Sequence, residues 1–161
     1  MRYLISAAVV GLGLAACSAP RYAGTLGTDP LGPEAAVAAL ADSILAAARA
    51  RDADRFVTYF QPGEELVYVL NTRRLSSRAA LRDAFRAMLG RQREFDPRWA
   101  DQQVQVLAPG VAVFTGAFRT TARDTSGAPW SARGIVTFAA RRDAAGWHVV
   151  NWHTSEIDAA P

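Results

Sequence analysis

The 161-residue chain contains no lysine, only two histidines and a single cysteine. With so few thiol and imidazole ligands, it cannot form a Cys-rich zinc site, a disulfide framework or a His-rich metal cage. All 18 basic residues are arginine, which we interpret as a compositional habit rather than a functional signal. The net charge of +3 is too small to indicate nucleic-acid binding, and no nucleic-acid-binding motif accompanies it. We therefore expect no metal, no cofactor and no nucleic-acid partner.

The first residues have the pattern of an export signal. A basic start at Arg2 is followed by an apolar run that, at about 15 residues, is short for a membrane span. The ending LAAC at 14–17 resembles the lipobox of bacterial lipoproteins. This resemblance implies that residues 1–16 are a signal peptide and that acylated Cys17 anchors the protein in the cell envelope, facing the periplasm. Because Ser18 and not Asp follows, it also implies the outer rather than the inner membrane. The alternative is an ordinary signal peptide with a chance cysteine.

Residues 17–32 are rich in proline and glycine and show no apolar periodicity, which is typical of a flexible tether. The remaining chain, 33–158, is long enough and apolar enough to bury one core, since half of the whole sequence is hydrophobic. We therefore expect a single folded domain behind the tether.

Three helices are predicted in the first half of this domain. Residues 33–51 carry apolar side chains at three- and four-residue spacing after a proline that suits a first helical position. Asp52 is a candidate N-cap for a short second helix, and Ser76 or Ser77 is one for a third helix that ends at Gly90. A brief strand is predicted at 65–70, between the second and third helices.

After Pro97 the residues Val, Thr, Phe and Trp dominate, and turn signals recur. They predict an antiparallel meander with strands at 100–108, 111–123, 130–142 and 146–157. Helices followed by such a meander indicate an α+β layer fold.

Arg78, Arg82 and Arg86 recur at four-residue spacing and form one stripe on the predicted third helix. One interpretation is a surface for anionic lipid headgroups beside the Cys17 anchor. The other is an ordinary solvated helix face, which the lack of aromatic anchors favours.

Three segments carry a resemblance to a known family, namely 52–56 (DADRF), 75–81 (LSSRAAL) and 146–155 (GWHVVNWHTS). They resemble the turn after the first helix, the entry to the third helix and the last strand of the SnoaL-like group of the NTF2-like superfamily. The calmodulin-kinase association domains end in a similar pattern. The resemblance implies a cone in which a strongly curved antiparallel sheet wraps around three helices. It indicates fold better than function, because this fold hosts isomerases, cyclases, dehydratases and non-catalytic hubs.

The last predicted strand supplies the first candidate site. Residues of equal parity share a face, so Trp147, Asn151, His153 and Ser155 point one way, and His148 points the other. The family resemblance implies that the His153 face lines the cone. Asn151, His153 and Ser155 would then form a polar ladder in which His153 is a candidate general acid or base. Alternatively, the ladder orients a bound carbonyl or carboxylate, or it only holds the strand in place.

Further candidate ligand contacts lie on other elements. Arg133 and Thr137 share a face of the neighbouring strand, where an inward arginine would be a fixed anion clamp, as would Arg119 one strand away. The alternative is that these arginines are exposed. Tyr59 and Tyr68 are candidate pocket liners or core residues, and Trp147 lies on the His153 face. The steroid isomerases of this fold use an inward Asp as base, and no Asp in the late strands matches it, which argues against that activity.

Three functions remain open from the sequence. The first is a lipid-anchored protein that binds a small, partly apolar ligand in its cone and forms a homodimer through the outer face of its sheet. The second is an enzyme of the SnoaL or ketosteroid-isomerase type that uses His153 as acid or base. The third is a non-catalytic interaction module whose cone is filled by aromatic side chains.

Overall fold

The structure is a computed structural model that describes residues 30–63 and 65–158, with the last two by their backbone alone. The predicted signal peptide, Cys17 and most of the tether lie outside these residues. The described chain begins its first regular element at Pro33 and ends its last at Asp158.

The three predicted helices are confirmed, as α1 (Pro33–Arg49), α2 (Ala53–Thr58) and α3 (Arg78–Leu89). Their N-caps explain where α2 and α3 begin. The carboxylate of Asp52 accepts a hydrogen bond from the Arg55 amide at 2.9 Å, and the hydroxyl of Ser77 accepts one from the Ala80 amide at 3.2 Å. Of the two candidate caps for α3, Ser77 is therefore the N-cap.

Six strands form one curved sheet that does not close, in the order β2-β1-β6-β5-β4-β3. All neighbours are antiparallel except β1 and β6, which pair in parallel. The helices pack in the concavity of this sheet, so the expected α+β cone is confirmed. The strands are β1 (Val67–Leu70), β2 (Arg73–Leu75), β3 (Gln92–Ala108), β4 (Val111–Asp124), β5 (Pro129–Asp143) and β6 (Gly146–Asp158).

The sequence analysis missed one strand and placed the start of another too late. The short strand β2 was not predicted, and β3 begins at Gln92 rather than at about residue 100. Pro97 suggested a boundary, yet it lies inside β3 opposite Thr120. A proline is tolerated there because β3 is an edge strand of the sheet. The carbonyl of Pro97 accepts a hydrogen bond from Arg49 Nε at 2.7 Å, which ties α1 to this edge.

Aromatic side chains cross the inner face of the sheet in one row. Tyr68, Trp152, Phe138 and Phe114 are direct neighbours on β1, β6, β5 and β4. Their rings are stacked, with successive centroids 5.7, 5.4 and 4.6 Å apart. Cross-strand aromatic pairs of this kind stabilise a sheet beyond their area burial. The row thus forms the centre of the core, and Phe60, which follows α2 in the chain, packs against it.

Candidate functional site

A cavity of about 450 Å³ lies between the helices and the concave face of the sheet. All three helices and all six strands contribute to its lining, which is mostly apolar. The cone is therefore open on one side of the aromatic row rather than completely filled. Tyr68 and Trp152 of that row form part of the cavity wall.

A β-bulge in β6 decides which of its side chains reach the cavity. Ala140 lies opposite Val149 and Ala139 opposite Asn151, so Val150 is the extra residue. The alternation of faces shifts by one at this point, and after it Trp152, Thr154 and Glu156 face the cavity.

The expectation that the His153 face lines the cone is therefore wrong. Asn151, His153 and Ser155 are exposed on the outer face of the sheet, and none of them lines the cavity. Strict alternation held for the strand before the bulge, where Val149 is fully buried. The extra residue reverses the inward and outward faces for the rest of β6. Asn151, His153 and Ser155 therefore do share a face, but that face points to solvent.

Four other predicted ligand contacts also lie outside the cavity. Arg133 and Thr137 lie on the outer face, where Arg133 is exposed and the Thr137 hydroxyl is 3.5 Å from that of Thr115. Tyr59 lies at the end of α2 outside the cavity, and its hydroxyl accepts a hydrogen bond from Arg55 Nε at 3.1 Å. Trp147 packs against the core without lining the cavity.

Tyr68 is the one predicted contact that lines the cavity, and it lies beside two polar residues that the sequence analysis missed. Glu156 and Thr154 face the same space from β6. Burial raises the pKa of the Tyr68 phenol well above its ordinary value, and the nearby negative charge of Glu156 raises it further. Tyr68 is therefore neutral, and able to donate a hydrogen bond, at every pH near neutrality.

Thr154 is only 4% exposed, and its hydroxyl accepts a hydrogen bond from Trp152 Nε1 at 2.7 Å. This bond uses one lone pair of the hydroxyl and leaves its own proton free to donate. Tyr68, Thr154 and Glu156 thus place two hydroxyl donors and one carboxylate acceptor on a single wall.

The opposite wall also carries polar groups, among them Gln92 and the buried Thr120. Trp130 donates from Nε1 to the side-chain oxygen of Gln92 at 2.6 Å, whereas the buried Nε1 of Trp99 has no hydrogen-bond partner among the described residues. Two arginines, Arg73 and Arg91, are exposed and lie at the rim of the cavity. The arrangement can hold a ring-sized apolar body and orient its polar group toward the wall formed by β1 and β6.

Within 30–63 and 65–158, no group of three or more His, Cys, Asp or Glu side chains could hold a metal ion. No helix in that same part of the chain has the length and apolar character needed to cross a membrane.

The Arg stripe of α3 is largely engaged within the protein. The Arg78 guanidinium donates to the carbonyl oxygens of Phe60 and Thr58, and Arg86 pairs with Asp54 at 2.5 Å. Arg82 pairs with its neighbour on the helix. The contacts of Arg78 and Arg86 hold α3 to α2 and the residues that follow it, so the stripe has a structural use that does not require a lipid surface.

Comparison with known proteins places this geometry in a family. A protein of the nuclear transport factor 2 (NTF2-like) superfamily from Salmonella enterica is 14% identical, with a TM-score of 0.70 over 78% of this chain and 89% of that chain. A hexachlorocyclohexane dehydrochlorinase (LinA) of type 2 is 11% identical, with a TM-score of 0.67 over 78% and 88%. A protein with a cystatin-like fold from Caulobacter vibrioides is 18% identical, with a TM-score of 0.66 over 79% and 89%.

At these identities the solved structures are evidence of a shared fold alone. No curated protein matches the chain. The SnoaL-like domain family matches it over residues 37–159, which is nearly the whole folded part. The chain therefore belongs to the SnoaL-like domain family, with the fold of the NTF2-like superfamily.

Proposed function

We propose that the protein binds a small, partly apolar ring compound in the cavity, with the polar group of the ligand at Tyr68, Thr154 and Glu156. The observation that carries this proposal is the placement of these three side chains next to one another, on β1 and β6, in the lining of a mostly apolar cavity. Apolar walls with a few convergent polar groups are the usual form of a small-molecule site.

The hydroxyl of Tyr68 supports this role. Buried tyrosine hydroxyls usually find a hydrogen-bond partner. Tyr68 lines the cavity, and its ring is stacked on that of Trp152 with the centroids 5.7 Å apart. The Tyr68 hydroxyl would donate to a ligand acceptor in the cavity, and the carboxylate of Glu156 would accept from a ligand hydroxyl beside it.

Native mass spectrometry of the purified protein, together with titration of 2-naphthol, tests the proposal. Trp99, Trp130 and Trp152 line the cavity, so an occupied cavity should quench tryptophan fluorescence in a saturable way. Ala84→Phe, which fills the cavity from α3, should abolish both the quenching and any co-purified mass. Ala79→Phe is the matched control, because Ala79 is exposed on the same helix. Equal quenching in both variants would refute binding in the cavity.

A second candidate function is acid–base catalysis, which the adjacency of Glu156 and Tyr68 favours. Glu156 would remove a proton from a carbon next to a ligand carbonyl, and neutral Tyr68 would donate a hydrogen bond to the resulting oxyanion. This reassigns to Glu156 the role that the sequence analysis gave to His153.

Exchange of the α-protons of 2-tetralone in D2O, followed by NMR, tests this second function. We expect Glu156→Gln to bind the ketone and to lose the catalysed exchange, whereas His153→Ala should exchange like the wild type. Exchange that persists in Glu156→Gln and stops in His153→Ala would support the original assignment instead.

We propose a location in the cell envelope, on the basis of the lipobox-like segment at 14–17. Acylation of Cys17 would hold the domain at the periplasmic side of a membrane, by preference the outer one. Fractionation should recover the protein with membranes, and Cys17→Ser should release it into the soluble fraction. Mass spectrometry should detect the acyl mass on the wild type only.

A further inference from the structure

Three arginines lie side by side on the outer face of the sheet. Arg98 of β3 is directly opposite Arg119 of β4, and Arg119 is directly opposite Arg133 of β5. All three are exposed. Because opposite residues of an antiparallel pair have their Cβ atoms about 5 Å apart, the row brings cations of like charge together across three strands.

Only one end of this row is neutralised. Arg98 pairs with Asp96 at 2.8 Å, and Asp96 also lies 3.3 Å from Arg49. Arg119 and Arg133 form no ion pair or side-chain hydrogen bond with the described residues. Like charges directly opposite each other destabilise a sheet. The row of arginines is therefore an electrostatically unfavourable arrangement, and it lies on the face of the sheet opposite the cavity.

The surroundings of Arg119 and Arg133 indicate what could neutralise them. On one side, the next cross-strand pair of this face is Thr121 and Ser131, which both carry a hydroxyl group. On the other side lies Ile135, which is 47% exposed. Guanidinium groups bind carboxylates in a bidentate manner, and an exposed isoleucine offers an apolar contact. The exposed residues of this face on β4, β5 and β6 include no aromatic side chain of the kind that anchors membrane-surface elements, which favours a protein over a lipid surface.

We infer that the outer face of β4 and β5 docks an acidic segment of a partner protein, with carboxylates on Arg119 and Arg133 and an apolar side chain on Ile135, in place of the homodimer contact expected on this face from the sequence. This interaction goes beyond ligand binding, because it uses the face of the sheet opposite the cavity.

A fluorescein-labelled 12-residue peptide of alternating Glu and Val is a suitable probe, and its Gln and Val counterpart is the uncharged reference. Fluorescence anisotropy should show binding of the acidic peptide that weakens with salt. Arg119→Gln with Arg133→Gln should weaken it at least tenfold. Arg74→Gln with Arg93→Gln is the matched control, because it removes two exposed arginines elsewhere and should change binding less than twofold.

Thermal unfolding without any peptide provides an independent test. Arg119→Gln removes the central charge of the row and should raise Tm by about 1 to 4 °C. Arg74→Gln should leave Tm unchanged, since its cross-strand partner is the uncharged Val69. A fall in Tm for Arg119→Gln would overturn the premise that the row is unfavourable.

Three other results would overturn the proposal. Equal weakening in the two double variants would mean that net charge alone attracts the peptide. Binding to phosphatidylglycerol vesicles, but not to the peptide, that depends on Arg119 and Arg133 would assign the face to a membrane. A wild-type dimer in light scattering that becomes a monomer in the Arg119 and Arg133 variant would assign it to a second copy of the chain.

Discussion

Trp152 of β6 lies directly opposite Phe138 of β5, with their ring centroids 5.4 Å apart and their planes inclined by only 5°. Phe138 is fully buried, whereas Trp152 also forms part of the cavity wall. One stacked pair therefore contributes both to the stability of the sheet and to the shape of the site. Substitutions along this row should change stability and ligand binding together.

Phe138→Ala should lower the free energy of unfolding by about 3 to 5 kcal/mol, because it removes a buried ring and leaves a cavity. Urea denaturation measures the loss. Ile135→Ala is the control on the same strand, because Ile135 faces outward and is 47% exposed. We expect its effect to stay below about 1 kcal/mol. Similar losses in the two variants would contradict the assignment of the inner and outer faces.

The neighbours Thr154 and His153 should behave oppositely, because the bulge places them on opposite faces. Thr154→Val keeps the shape but removes the acceptor for Trp152 Nε1, which should cost about 1 to 3 kcal/mol of unfolding free energy. His153→Ala removes an exposed side chain and should cost less than about 0.5 kcal/mol. Chemical denaturation compares them, and a larger cost for His153→Ala would indicate that β6 has no bulge at Val150.

Arg78→Met should destabilise the contact between α2 and α3. The guanidinium of Arg78 donates to the carbonyl oxygens of Phe60 and Thr58, and burial lowers its pKa. Losing these charged hydrogen bonds should cost about 1 to 3 kcal/mol in denaturation experiments. Arg82→Met, one turn later on α3, removes only a surface pair with Asp83 and should cost less than about 1 kcal/mol.

Tyr68 should make the stability of the protein depend on pH in the alkaline range. The phenol ionises near pH 10 in the unfolded chain and at higher pH in the folded one, so the folded state binds more protons above pH 10. Its contribution to the free energy of unfolding is therefore complete below pH 10. It falls as pH rises further, by up to about 1.4 kcal/mol per pH unit.

Tyr68→Phe should show a correspondingly shallower loss when urea denaturation is repeated between pH 9.5 and 11.5. The chain suits this measurement because it contains no lysine, whose titration would overlap with that of tyrosine. Identical slopes for the two proteins would contradict a buried Tyr68 hydroxyl.

The helices and most strands could be predicted from sequence because their signals are local. The caps Asp52 and Ser77, the apolar spacing of α1 and the Gly110 and Gly127 turns act within a few residues. Pro97 misled the prediction because its tolerance depends on β3 being an edge strand, which is a property of the whole sheet.

The inner face of β6 could not be predicted from its own sequence. Alternation is equally consistent with His153 inward or Thr154 inward, and the choice depends on a single bulge in the pairing with β5. The sequence by itself determined the α+β architecture, the family and the lack of a thiol or imidazole cluster. Tertiary structure alone decided that Glu156 and Tyr68 share the cavity and that Arg119 and Arg133 share the outer face, because strand register brings together residues that are distant in the chain.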